Sequence, residues 1–197
     1  MPCLRLHLWL SLVGLVTLIH VPCAAQSAVA RLSDTTTLQL RVDAGIPLVS
    51  MQTRKAQSLQ IDPSLRSVLT SARESYFVGQ QPFKTAPGMF LLLVTETPSP
   101  KAGLSRCSAG TEDVVHLLEV LPQRLQIRRR DHLLIQSCAE NLALSDDSGQ
   151  TLRSRLEGKS TDSALVLQWL DHPKYGSTSR ELAVVGTKLV VRWSVLN

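Results

Sequence analysis

Aromatic residues make up only 4% of this 197-residue chain. Single-stranded nucleic acids are held largely by base stacking, so this shortage argues against a nucleic-acid partner. Long apolar runs are missing after residue 25. No internal stretch reaches the roughly 18 residues that span a bilayer, which excludes a polytopic membrane protein. Phosphate-cradling glycine patterns are absent too: there is no Gly-x-Gly-x-x-Gly and no P-loop. His-Glu-x-x-His and His-x-His do not occur, so zinc chemistry has no ligand cluster to start from. No Gly-x-Ser-x-Gly marks a nucleophilic serine. No cofactor and no metal is therefore expected, and no residue is assigned a catalytic role. An acidic excess is also lacking: Lys and Arg number 21 against 16 Asp and Glu, for a net charge of +5. Such a surface attracts anions.

What is present begins with the first 25 residues. Arg5 forms a short positive region, and Leu8 to Ile19 is almost wholly apolar. Pro22 then breaks the helix, and Cys23 and Ala25 place small residues at the −3 and −1 positions before Gln26. This is the pattern of a secretory signal peptide cleaved after Ala25. Its apolar core is too short for a membrane anchor, and Pro22 suits a lipidated Cys23 poorly. The expectation is a signal peptide over 1–25 and one mainly-β domain over 26–197, with a sub-boundary near 98–101 at Pro98-Ser99-Pro100-Lys101. The expected location is periplasmic or secreted, with no transmembrane segment left after cleavage.

Cleavage leaves Cys107 and Cys138 of the four cysteines. An even pair in an exported chain reads as a disulfide. Closing a loop of about 30 residues stabilises the fold by roughly 3–4 kcal/mol on the chain-entropy view.

Most of the remaining chain alternates apolar and polar residues with the period of a half-buried strand. Thr36–Val42, Leu59–Ile61 and Leu125–Arg128 show it, and Leu152 to Leu156 is read the same way. Met89–Val94 is a continuous apolar run, as a central strand requires, Val114–Val120 is another strongly apolar stretch, and Ala164–Leu170 is a further run. Arg129-Arg130-Asp131 is read as the tight connection of a hairpin. Gly186-Thr187 is read as a second turn, with glycine supplying the positive φ, and Leu189, Val191, Trp193 and Val195 share a face beyond it. One helix stands out over 63–74: Asp62 caps it, Pro63 opens it, and Leu65, Val68, Leu69 and Ala72 recur at helical spacing. The fold expected is an antiparallel sandwich or barrel of about ten short strands with one helix and one disulfide.

Candidate site residues are few. His116, His132 and His172 lie in strands or a loop without ligand partners in sequence. Adjacent acids in a strand point to opposite faces, so neither Glu112-Asp113 nor Asp146-Asp147 is a ready acid–base pair. Asp146-Asp147-Ser148-Gly149 reads as a turn. Glu112 and Asp113 follow Cys107 closely, which would set them on a rigid rim for partner recognition. Arg124, Arg128, Arg129, Arg130, Arg153, Arg155 and Lys159 oppose leucines and would form a basic face. These features favour a non-enzymatic binding protein, inhibitor-like or immunity-like, whose partner is a protein or an anionic envelope component. Two other classes stay in view. One is an envelope hydrolase with dispersed catalytic residues; the other is a barrel carrying a small apolar ligand.

Overall fold

Six consecutive apolar residues, Met89 to Val94, leave no polar face for water, so a strand made of them needs cover on both sides. The computed structural model supplies that cover. It describes residues 26–85, 88–99, 110–145, 151–158 and 164–193. The expected signal peptide, Cys107, the Asp146-Asp147-Ser148-Gly149 turn, Lys159 and Val195 lie outside the described residues.

A central five-stranded sheet has the order β5-β9-β8-β7-β6. It comprises β5 (Gln60–Ile61), β6 (Glu74–Thr85), β7 (Gly88–Pro98), β8 (Thr111–Leu121) and β9 (Gln126–Ser137). Along these strands the side chains alternate between two separate cores. Tyr76, Leu92, Val94, Val115, Leu117 and Ile135 enter the first core. Phe77, Leu91, Leu93, Leu118, Val120 and Ile127 enter the second.

The second core is closed by β1 (Gln26–Ser33), β2 (Thr36–Asp43), β3 (Ile46–Gln52), β4 (Ala56–Ser58) and helix α1 (Pro63–Ser71). The four strands form one antiparallel sheet. The first core is closed by β10 (Ala143–Leu144), helix α2 (Leu152–Gly158), β11 (Ala164–Asp171), β12 (Thr178–Val185) and β13 (Lys188–Trp193). These four strands also form one antiparallel sheet.

The chain is mainly β and its pairing antiparallel, as expected, with one exception: β5 runs parallel to β9. The layering is richer than one sandwich or one closed barrel, because the central sheet is covered on both faces by further sheets. Thirteen strands and two helices occur among the described residues, against about ten strands and one helix expected. On either side of 98–101, β7 and β8 are direct neighbours from Met89↔Val120 to Pro98↔Thr111, so one sheet continues across that connection.

Helix α1 starts where the sequence places it. Asp62 is extended, and its Oδ1 accepts from the N–H groups of Ser64 and Leu65 at 2.9 and 3.1 Å. That satisfies donors the first helical turn would otherwise leave open. Leu65 and Leu69, one turn apart, are fully buried. The helix ends at Ser71 rather than reaching Glu74. The Arg73 N–H bonds the Glu96 carbonyl at 2.7 Å, which recruits the chain into β6.

Two local readings are corrected. Leu152 to Leu156 is helical, not a strand. Thr151 accepts the Ser154 N–H at 3.2 Å through its hydroxyl, as a cap does, and Arg153 pairs with Glu157 one turn on. A spacing of four residues fits a strand face and a helix face equally well. Arg129-Arg130-Asp131 is not a turn but part of β9. Leu117 pairs with Asp131 and Leu118 with Arg129, so Arg130 is the extra residue of a β-bulge. The true β8–β9 connection is a 3-10 turn at Pro122–Arg124, closed by Leu125 in the left-handed region at φ 47°.

Candidate functional site

Glu112 and Asp113 do face opposite ways, but neither stands on an exposed rim. Glu112 is half-buried and accepts from the hydroxyls of Ser99 and Ser137, each at 3.3 Å. Asp113 is buried at 4% exposure. Register brings it to the end of a row of acids across three strands, since Glu74 pairs with Glu96 and Glu96 with Asp113. Burial, then the charges of Glu96 and Glu74, push the Asp113 carboxyl up to about 7, against a smaller opposing effect from Arg155. Beside it the buried Tyr76 hydroxyl has no hydrogen-bond partner. Its acidity is suppressed by burial and next by Asp113.

The arginines do not gather into one basic face. Arg128 donates to Gln126 at 2.6 Å. The Arg129 N–H reaches across to Asp62 Oδ2 at 2.5 Å and ties β9 to the start of α1. Arg130 pairs with the buried Glu119 at 2.5 Å. Arg153 pairs with Glu157 at 2.9 Å and lies 5.6 Å above the Tyr76 ring. Arg155 donates to the Ser145 carbonyl. Arg124 is exposed at the end of the 3-10 turn. Tyr76 is on β6 and Arg128 to Arg130 are on β9, three strands apart, a separation of about 14 Å at the usual strand spacing. The leucine–arginine alternation at 152–156 belonged to a helix, which is why the two groups do not share a sheet face.

The histidines are occupied structurally. His116 is 2% exposed and shares a 2.9 Å hydrogen bond with the Thr95 hydroxyl. Burial, then Arg129 and His132, hold it neutral down to about pH 3. His132 sits opposite it on β9, with ring centroids 6.2 Å apart. His172 Nδ1 accepts the backbone N–H groups of Lys174 and Tyr175 and so shapes the β11–β12 connection. Among the described residues, no three of His, Cys, Asp and Glu converge as metal ligands. No described helix is long and apolar enough to cross a membrane.

A different cluster forms at the end of the β11–β13 sheet. The buried Trp169 donates its indole N–H to the Ile135 carbonyl at 2.9 Å. His172 packs edge-on against it at 4.6 Å, and Tyr175 lies 4.4 Å from His172. The Arg180 guanidinium stands 4.9 Å from the Tyr175 ring and 3.2 Å from the Trp193 ring. The stack therefore runs from a core tryptophan to a surface one, with Arg180 between rings. Arg180 is 8% exposed, and its Nε has no hydrogen-bond partner. Trp193 is 72% exposed, the most open of the large apolar side chains among the described residues. Gly186 at φ 60° makes the turn that sets this register, pairing Arg180 with Trp193.

Trp193 also sits on an edge. Among the described residues no strand pairs with the outer side of β13. Asp131 covers only its start: Oδ2 accepts the Leu189 N–H at 2.9 Å, and Lys188 lies 4.0 Å from Oδ1. Sequence reasoning grouped Trp193 with Leu189 and Val191 as one face but did not reach Tyr175 or Arg180.

The chain matches no known family model, no curated protein and no solved structure.

Proposed function

We propose that this chain is an exported, non-enzymatic binding protein that docks a protein partner on the β12–β13 hairpin. An extended, acidic segment of the partner adds as a strand to the open edge of β13, and its side chains pack on Trp193. The leader-like pattern of residues 1–25 supports export to the periplasm or beyond. A disulfide between Cys107 and Cys138 fits the same compartment. The β8–β9 register sets Glu112 opposite Ser137, so Cys138 directly follows the end of that pairing, and Cys107 precedes Glu112 by five residues. Such a bridge would brace the far end of the central sheet.

The observation that carries the reading is Trp193, 72% exposed, with its ring against Arg180, on an edge that no strand pairs among the described residues. Trp, Tyr and Arg are the residues that dominate interface energetics. Open strand edges are otherwise suppressed because they invite pairing. An indole of about 200 Å² left this open holds on the order of 3 kcal/mol of unused burial free energy. The partner's acidity is argued from charge: Lys174 lies 5.2 Å and Arg180 4.9 Å from the Tyr175 ring, and Arg180 has no acid partner among the described residues.

The test compares capture by chain starting at Gln26 with capture by its W193A and V29S variants. Val29 is a control because it too is exposed, at 59%, but lies on the β1–β4 sheet, on the other face of the central sheet. The expectation is a protein retained by the parent and by V29S, with affinity for W193A at least about 30-fold weaker, the size of a hot-spot loss. Melting temperature should fall by no more than about a few degrees in W193A, the loss of one cation–π contact. Equal retention by W193A, or a large fall in its stability, overturns the reading.

A further inference from the structure

Between the β2–β4 face and helix α1 lies a groove of about 270 Å³ that the proposed protein-binding hairpin does not touch. Its volume sits just under the roughly 300–1,000 Å³ usual for small-molecule sites, so it admits one small ligand rather than a folded partner. Arg41, from β2, and Arg66, from α1, both line it. Ser50 and Ser58, cross-strand neighbours on β3 and β4, contribute hydroxyls between them. Leu48 and Ile61 supply apolar wall, and Leu48 is 52% exposed. No carboxylate lines the groove. Arg41 has only the exposed Asp43 at 3.6 Å, and no acid among the described residues pairs with Arg66.

We infer that this groove binds an amphiphilic anion, a phosphate or carboxylate head on a short alkyl chain. Two guanidinium forks lining one groove suit the several oxygens of such a head, which they hold with charge-assisted hydrogen bonds. The serine hydroxyls donate to the same oxygens. The alkyl chain covers Leu48 and Ile61, so that neither the head alone nor the chain alone matches the site. The ligand reaches the groove either free in solution or as the exposed head of a membrane lipid, because both carry the same chemistry.

The probe is octyl phosphate, titrated calorimetrically into the chain starting at Gln26, beside 1-octanol and inorganic phosphate. Octyl phosphate should bind at least about tenfold tighter than either fragment. The variants R41Q and R66Q should each weaken it about tenfold or more, the scale of one charge-assisted hydrogen bond. Both arginines are exposed, so melting temperatures should stay at the parent value. W193A should bind octyl phosphate as the parent does, which keeps this result separate from the protein-docking test. Sedimentation with phosphatidylcholine vesicles, with and without phosphatidic acid, assigns the source. Phosphatidic-acid-dependent binding lost in R66Q identifies a lipid head, and solution binding without vesicle binding identifies a free amphiphile. Octyl phosphate binding no tighter than octanol, or undiminished in both arginine variants, overturns the inference.

Discussion

Replacing Asp113 by Asn tests the buried acid row directly. In the native state the Asp113 carboxyl is pushed up to about 7 from an ordinary value of 3.8, chiefly by burial and then by Glu96 and Glu74. The raised value means that the folded chain keeps a proton which the unfolded chain releases. Stability therefore falls as pH rises through the window from about 4 to about 7, at about 1.36 kcal/mol per pH unit, on the order of 4 kcal/mol in all. Asn mimics the protonated acid and carries no such loss. His116 works with the opposite sign. It is held down to about 3 from 6.5, chiefly by burial, so the unfolded chain takes up a proton that the folded one refuses, and stability falls as pH drops below about 6.5.

Between pH 4 and 6.5 the two slopes cancel, and for these two groups the parent's stability is flat. D113N removes one slope and exposes the other, so the variant gains about 3 kcal/mol across that window. Urea unfolding of both proteins at pH 4, 5, 6, 7 and 8 measures this. The two should be nearly equal at pH 4, with D113N more stable by on the order of 4 kcal/mol at pH 8. An advantage that does not grow with pH refutes the reasoning. So does D113N becoming the weaker protein at pH 8, which would mean that attraction to Arg155 outweighs burial and the neighbouring acids.

Asp62 holds two elements at once: Oδ1 accepts from Ser64 and Leu65, and Oδ2 from Arg129 on β9. D62A should lower the urea-derived stability by about 2–3 kcal/mol, with D62N recovering part of it through its remaining oxygen; a loss under about 0.5 kcal/mol would remove the clamp. Arg130 compensates Glu119, whose side chain is 7% exposed, so R130Q should cost about 2–4 kcal/mol at neutral pH and R130Q/E119Q should restore most of it. R31Q, from an exposed pair with Asp34, should cost under about 1 kcal/mol, both read by urea unfolding, and equal effects at the two sites would refute the burial argument.

What the sequence made legible was local. Asp62 and Pro63 announce α1 because a cap and a fixed φ act within three residues of each other. The run from Met89 to Val94 announces a two-faced strand because every residue in it is apolar, whichever neighbour it meets. Where the residues were ambiguous, the reading failed. Leu152 and Leu156 satisfy both periodicities, and only the Thr151 cap with the Arg153–Glu157 pair favours the helix. The β8–β9 turn was missed because Leu125, not glycine or asparagine, takes the left-handed position. The polar triplet Arg129-Arg130-Asp131 then looked more turn-like than it was, although it builds a bulge.

The two polar clusters differ in how far they were hidden. Glu74, Glu96 and Asp113 meet only through the pairing of β6 with β7 and of β7 with β8. The β6–β7 pairing crosses a register shift between Val78 and Phe83, near Gly79 at φ 84°. The β7–β8 connection passes through residues with no strand pattern of their own. Neither register can be counted from a turn, so the acid row was out of reach. Arg180 and Trp193 are another matter. They stand at equal distances from the Gly186-Thr187 turn, and a two-residue turn fixes the partner of every residue in an unbroken hairpin. Once that turn was assigned, the arginine beneath the tryptophan followed from counting outward. The hairpin proposed here as the docking surface is thus the part of the site that the sequence specified and that a face-by-face reading of single strands passed over.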